Sequence, residues 1–192
     1  MTRWAVYFDR DGVLTDAPVV DGQALAPMLS KDLTILPGAR EAVAIVHALG
    51  GMALVVTNQP DVARGMLDPA ELELMHERLT RELELDDVRV CPHDGIDRCR
   101  KPAPGMLIDL AAKHGVDLSN SYMIGDRWVD IAAGAAVSAT TILVEYPYSW
   151  AATSSGAPPD GLAPDHRVHN VLAAAKIVEG LARNREHTHG GG

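Results

Sequence analysis

Short apolar runs alternate along this chain with stretches that are apolar on one helical face only. Trp4 to Asp9, Met52 to Asn58, Val88 to Cys91, Ser121 to Asp126 and Thr140 to Glu145 are apolar nearly throughout. Runs this short, without polar alternation, are expected of strands covered on both faces. Helical patterns lie between them. Pro37-Gly38 precedes an Ala/Val-rich stretch to Leu49, which Gly50-Gly51 ends. Asp68-Pro69 supplies an N-cap and a first-turn proline for a helix to about Leu85. Further helices are predicted over Pro104 to His114, Trp128 to Val137 and Asn170 to Ala182. This alternation predicts an α/β fold, a doubly wound and mostly parallel sheet with helices on both faces. Tyr146 to Asp165, rich in Pro, Gly, Ser and Ala, reads as a long flexible loop. Residues 184–192, which end in His and Gly, read as a disordered tail.

The length of 192 residues suits one domain, assigned to residues 1–183. A net charge of -9 argues against a general nucleic-acid surface, which needs a basic footprint. It leaves room for a small phosphorylated substrate, which needs only a local patch of donors. No apolar run reaches membrane-span length and the N-terminus lacks the apolar core of a signal peptide, so no membrane partner and a cytoplasmic location are expected. The two cysteines fall in one short segment, Cys91 to Cys99. In a reducing compartment that clustering suggests a metal, or chance, rather than a bridge.

In doubly wound sheets, ligands bind at the carboxyl ends of the strands. Those ends carry Asp9 and Asp11, then Thr57 and Asn58, then Asp126 and Asp130, with Lys101 in the remaining segment. Phosphoryl transfer needs this mixture. A carboxylate can attack phosphorus and form an acyl-phosphate, and a second acid can protonate the leaving oxygen and later deprotonate water. The phosphoryl oxygens need cations and hydrogen-bond donors, and magnesium needs carboxylate or carbonyl oxygens.

Asp9-x-Asp11-Gly12, Val55-Val56-Thr57-Asn58, Lys101-Pro102 and Ile124-Gly125-Asp126-x-x-x-Asp130, in this order, resemble the four-motif set of the haloacid dehalogenase (HAD) superfamily. The likeness covers roughly residues 4 to 145. It implies that Asp9 is the nucleophile and a magnesium ligand, with Asp11 the general acid/base whose carbonyl also meets the metal. Thr57 and Lys101 would hold the phosphoryl oxygens and Asp126 would complete the magnesium site. Asp130 would orient Lys101 or a metal-bound water, or ligate directly. Arg10, Asn58 and Gln59 are taken with them on the substrate side. An acid at the position of Asp11 resembles phosphatases and mutases rather than dehalogenases or transport ATPases.

The gaps between the motifs hold no separate cap domain, so an open site is expected and, with it, a monomer. The segment Cys91-Pro-His93-Asp-Gly-Ile-Asp97-Arg-Cys99-Arg100-Lys101-Pro102 resembles the zinc loop of two related capless families, heptose bisphosphate phosphatases and histidinol phosphatases. That resemblance implies a structural zinc on Cys91, His93, Asp97 and Cys99, with Asp97 where a cysteine is expected. Thr57-Asn58-Gln59 followed by Val62-Ala63-Arg64-Gly65, and Lys101-Pro-x-Pro104-Gly105-Met106-Leu107, resemble the heptose enzymes. Gly125-Asp126-Arg127 and the short loop lean toward the histidinol side. The longer strings imply removal of the 7-phosphate of D-glycero-D-manno-heptose 1,7-bisphosphate, in nucleotide-activated heptose biosynthesis. Histidinol phosphate or another small sugar phosphate is the alternative substrate, and a non-catalytic phosphate-binding module the alternative of another class. Arg100 and Arg127 are candidates for the sugar or its distal phosphate. Pro60-Asp61 in place of the usual Ser-Gly, and Val13 where Thr is common, depart from the family pattern.

Overall fold

The computed structural model describes residues 3–20 and 23–189. Its strands are β1 (Ala5–Phe8), β2 (Val19–Val20), β3 (Gln23–Ala24), β4 (Met52–Asn58), β5 (Asp87–Cys91), β6 (Tyr122–Gly125), β7 (Thr140–Val144) and β8 (His166–Val168). The helices are α1 (Ala39–Ala48), α2 (Pro69–Leu83), α3 (Gly105–His114), α4 (Trp128–Ala135) and α5 (Val171–His189). Six strands form one parallel sheet in the order β5-β4-β1-β6-β7-β8, and β2 pairs with β3 as a small antiparallel hairpin.

The central strand shows why the apolar runs lack alternation. Val6 and Phe8 point into a core shared with Val43 and Val46 of α1, Met75 and Leu79 of α2, and Ala174 and Val178 of α5. Ala5 and Tyr7 point the other way, onto Met106 and Leu110 of α3 and Ala133 of α4. Both faces are buried, so every position is apolar. Helix α2 begins as its sequence implies. The Asp68 carboxylate accepts the N–H of Ala70 at 2.9 Å and Pro69 occupies the first turn.

Parallel pairing brings the strand ends to one edge. Phe8 stands level with Val55 on one side and with Ile124 on the other. Asp9, Thr57 and Asp126 therefore leave the sheet together.

The structure differs from the sequence reading in three places. The β2–β3 hairpin and β8 were not expected, because two- and three-residue strands leave no periodicity to read. The tail expected to be disordered from residue 184 continues α5 as far as His189; residues 190–192 lie outside the described residues. An Arg183–Glu179 pair one turn apart and a bond from Arg185 to the Asn120 carbonyl support that extension. The loop from 146 to 165, expected to be flexible, is tied down. Ser149 accepts the Trp128 N–H through its carbonyl and the Tyr146 N–H through its hydroxyl, and Ala151 accepts the Trp128 indole N–H. Among the described residues, no helix is long and apolar enough to cross a membrane.

Candidate active site

A cleft of about 680 Å³ opens at the carboxyl edge of β1, β4 and β6. Its floor holds Asp9, Asp11, Thr57, Lys101, Asp126 and Asp130. Leu25 and Met28, beyond the hairpin, form one wall, and Ala151 to Ser155 form the opposite one.

Lys101 is the hub of the floor. Its ammonium is enclosed and lies 2.7 Å from each of Asp9 Oδ1, Asp130 Oδ1 and the Val56 carbonyl, donating hydrogen bonds to Asp9 and Val56 and pairing with the Asp130 charge. Burial alone would push this amine down, but Asp130 and Asp9 carry it above its ordinary value and keep it charged. Asn58 fixes the lysine from behind. Its amide donates to the Lys101 carbonyl at 3.0 Å, and its oxygen accepts the Lys101 N–H at 3.0 Å. Asn58, expected on the substrate, thus has both amide atoms engaged on the backbone of the lysine.

Carboxylates outnumber the cation. Ligand oxygens of Asp9, Asp126 and Asp130 lie within 4.8 Å of one another, facing one lysine. Burial pushes Asp9 up to about 6, against the pull of Lys101 and with the repulsion of Asp130 and Asp11. Burial, then Asp9 and Asp130, push Asp126 well above the ordinary carboxylate range. Asp126 Oδ1 is buried and has no hydrogen-bond partner. Excess buried negative charge and an orphaned carboxylate oxygen are what a divalent cation would satisfy, and oxygen donors suit magnesium. Asp130 Oδ1 likewise accepts no hydrogen bond but is paired with the Lys101 charge at 2.7 Å, and Oδ2 accepts the Arg127 N–H at 3.0 Å. A Cβ on Gly125 would come within 2.1 Å of the Asp130 Cβ, so the glycine lets Asp130 fold back against the strand end.

Asp11 accepts four donors. Arg10 reaches it through Nε at 3.0 Å and Nη2 at 2.9 Å, Thr15 Oγ1 at 3.1 Å and Gln59 Nε2 at 2.8 Å. Gln59 also donates to Thr57 Oγ1 at 2.9 Å. Arg10, expected on the substrate, instead is fully buried behind Asp11, with Nη1 3.2 Å from His76 Nε2 and 3.8 Å from Met75 Sδ. The side chain follows β1 into the core beneath α2 and does not line the cleft.

Arg100 and Arg127 do line it. Arg100 donates to the His93 carbonyl at 3.0 Å and to Ser154 Oγ at 2.7 Å, while its buried Nε has no partner. Arg127 lies over the Tyr148 ring, 4.9 Å from its centroid. Tyr148, Ser154 and Ser155 were missed in the sequence, since nothing in a Pro/Ser/Ala-rich stretch marks which residues return to the sheet. Tyr148 carries a signal only in hindsight, as an aromatic in an otherwise small-residue loop.

The cysteine loop departs from expectation. Ligand atoms of Cys91, His93, Asp97 and Cys99 do converge within 4.8 Å, but Cys91 and Cys99 are joined as a disulfide where a metal or free thiols were expected. The turn after β5 brings their Cα atoms to 5.5 Å, within disulfide span. The bridge takes both thiolates that zinc would need, and His93 Nδ1 lies 2.7 Å from Asp97 Oδ2, so the bridged loop does not fit the ion.

Residues 98–174 match the HAD-hydrolase-like family. The D-glycero-beta-D-manno-heptose-1,7-bisphosphate 7-phosphatase of Pseudomonas aeruginosa is 40% identical over 154 residues, 76% of this chain and 83% of its own. That of Bordetella bronchiseptica is 31% identical over 163 residues, 81% and 88% of the two chains. Among solved structures, the D,D-heptose 1,7-bisphosphate phosphatase from B. bronchiseptica, complexed with magnesium and phosphate, is similar with a TM-score of 0.74. That match covers 92% of this chain and 97% of the other at 28% identity.

Proposed function

Since the chain belongs to the haloacid dehalogenase-like hydrolases, and to the heptose bisphosphate phosphatases among them, we propose that it removes the 7-phosphate of D-glycero-β-D-manno-heptose 1,7-bisphosphate with Asp9 as nucleophile. The observation that carries the chemistry is the floor of the cleft. One enclosed lysine neutralises Asp9 and Asp130 while Asp126 Oδ1 stays free.

In this reading Asp9 attacks phosphorus, the bond from phosphorus to the sugar oxygen breaks, and that oxygen takes its proton from Asp11. Water then attacks the aspartyl-phosphate while Asp11 takes its proton, which releases phosphate and restores Asp9. Lys101 and Thr57 hold the phosphoryl oxygens. Magnesium, held by Asp9, Asp126 and the Asp11 carbonyl, would neutralise charge on those oxygens. Asp130 aims Lys101. Arg100 and Arg127 face the sugar and its second phosphate from the cleft wall.

Zinc belongs to the reduced form of the cysteine loop. Reduction would free two thiolates beside His93 and Asp97, four donors in reach of one ion. Zinc analysis of protein purified with and without reductant tests this, and a zinc-free reduced protein rejects it.

The function is tested by phosphate release with magnesium, comparing the heptose bisphosphate, histidinol phosphate and a panel of simple sugar phosphates. The heptose bisphosphate is expected to give the highest kcat/KM. A clear preference for histidinol phosphate would overturn the substrate. Asp9→Asn should lower turnover by at least about 10³-fold in a folded protein, and residual activity near wild type would overturn the nucleophile.

A further inference from the structure

The loop that walls one side of the cleft sends one side chain to the proposed metal site. We propose that Tyr148 is a positioning residue for that site, its hydroxyl fixing the Asp126 carboxylate so that Oδ1 is presented to the cation. The inference rests on the reading of Asp126 as a magnesium ligand.

Tyr148 donates to Asp126 Oδ2 at 2.9 Å, and the other oxygen, Oδ1, is the buried one without a partner. One carboxylate is thus divided into an oxygen held by protein and an oxygen left for metal. The donor is itself held. Tyr148 is 6% exposed and its ring stacks on Tyr146, with centroids 5.1 Å apart and planes 5° from parallel. The Arg127 guanidinium covers its ring. A hydroxyl on a ring braced in this way cannot follow Asp126 if the carboxylate turns. It can only hold it.

Gly12 closes the third side. A Cβ there would lie 2.3 Å from Asp126 Oδ2 and 3.0 Å from the Tyr148 hydroxyl, so the turn after Asp11 packs directly on this pair. Burial alone does not account for the bond. Tyr7 and Tyr122 are also buried, and their hydroxyls have no hydrogen-bond partner, so a core tyrosine in this fold is tolerated without one. Tyr148 differs because its hydroxyl reaches a site carboxylate. Partners of this kind set the orientation of a ligating carboxylate, and removing one commonly costs about 10–100-fold in metal affinity or activity.

The variant Tyr148→Phe keeps the stack and the guanidinium contact and removes only the donor. Magnesium is titrated by calorimetry into the substrate-free protein, beside wild type and Asp126→Asn. The expected result is a Kd for magnesium raised about tenfold or more in Tyr148→Phe, with its melting temperature in chelator close to wild type. The magnesium concentration for half-maximal activity should rise in step, while KM for the sugar phosphate at saturating magnesium stays near wild type. A Kd within twofold of wild type overturns the role of Tyr148. So does a weaker Kd accompanied by an equally large loss of melting temperature in chelator, which would make the hydroxyl a folding contact. If Asp126→Asn loses magnesium and Tyr148→Phe does not, this inference fails alone. If Asp126→Asn binds magnesium as wild type does, the metal site itself is misread and the inference falls with it.

Discussion

The guanidinium of Arg10 forks onto the carboxylate of Asp11, its neighbour in the chain, with Nε 3.0 Å from Oδ1 and Nη2 2.9 Å from Oδ2. Adjacent residues in an extended strand point apart, so this pairing needs the turn that follows β1, where Gly12 takes a φ of 81°. The fork holds the proposed acid on the cleft floor while Arg10 stays out of the cleft. Arg10→Lys keeps the charge but offers no second parallel donor. It should lower kcat about 10–100-fold with little change in KM, because Asp11 acts on the leaving oxygen rather than in binding. Steady-state kinetics on the proposed substrate check this, and an unchanged kcat would make the fork purely structural.

Lys101 holds apart carboxylates that would otherwise repel one another. Removing one member of a buried ion pair leaves its partner uncompensated, at a cost of about 3–5 kcal/mol. Lys101→Met in metal-free protein should therefore be destabilised on that scale at pH 7. The deficit should shrink toward pH 5, because Asp9, raised by burial to about 6, takes up a proton and stops repelling its neighbours. Urea denaturation of both proteins at the two pH values measures it. A deficit independent of pH would point to lost packing instead.

The sheet core could be read from the chain because its strands are buried on both faces. The run Met52–Asn58 is the observed strand β4, residue for residue, and Asp68-Pro69 caps α2 as its residue types require. The charged floor of the site was legible for a related reason, since parallel strands deliver their ends to one edge. What escaped was long-range. Nothing near Tyr148 in the chain says that its hydroxyl meets Asp126, and nothing in Asp9-Arg10-Asp11 says that the arginine turns inward to His76 and Met75. The cysteine loop failed differently. Its four residues do converge, but convergence alone does not decide between a bridged and a metal-bound state.

At the proposed metal site, magnesium and protons would compete for the same oxygens. Without metal, Asp9 is raised to about 6, above its unfolded value of about 3.9. Between those values the folded chain binds a proton that the unfolded chain releases, so metal-free protein loses stability as pH rises through that window. Magnesium binding requires the same proton to leave. Its apparent Kd should rise as pH falls through about 6, by up to tenfold per unit. Calorimetric titrations at pH 5, 6 and 7.5 test this, together with proton release measured in buffers of different ionisation enthalpy. Uniform affinity across that range would contradict the raised Asp9.

His76 should leave an opposite mark on stability. Arg10 Nη1 can only donate, so His76 Nε2, 3.2 Å away, must accept and the ring must be neutral. Burial, followed by the Arg10 charge, pushes this imidazole down to about 4, with Asp11 only partly opposing them. An unfolded histidine titrates near 6.5, so between about 6.5 and 4 the unfolded chain binds a proton that the folded chain refuses. The contribution is complete above pH 6.5 and is lost as pH falls toward 4. Discounted for solvent screening it is on the order of 2 kcal/mol, or about 4–8 °C in a domain of this size. His76→Gln can still present an oxygen to Arg10 but cannot be protonated. Its melting temperature should therefore fall less steeply than that of wild type from pH 6.5 to 4. Taking the difference between the two profiles cancels the carboxylates common to both. Parallel profiles would mean that His76 takes up its proton as readily in the fold as in the unfolded chain, and that Arg10 is held at Asp11 by something other than a neutral ring.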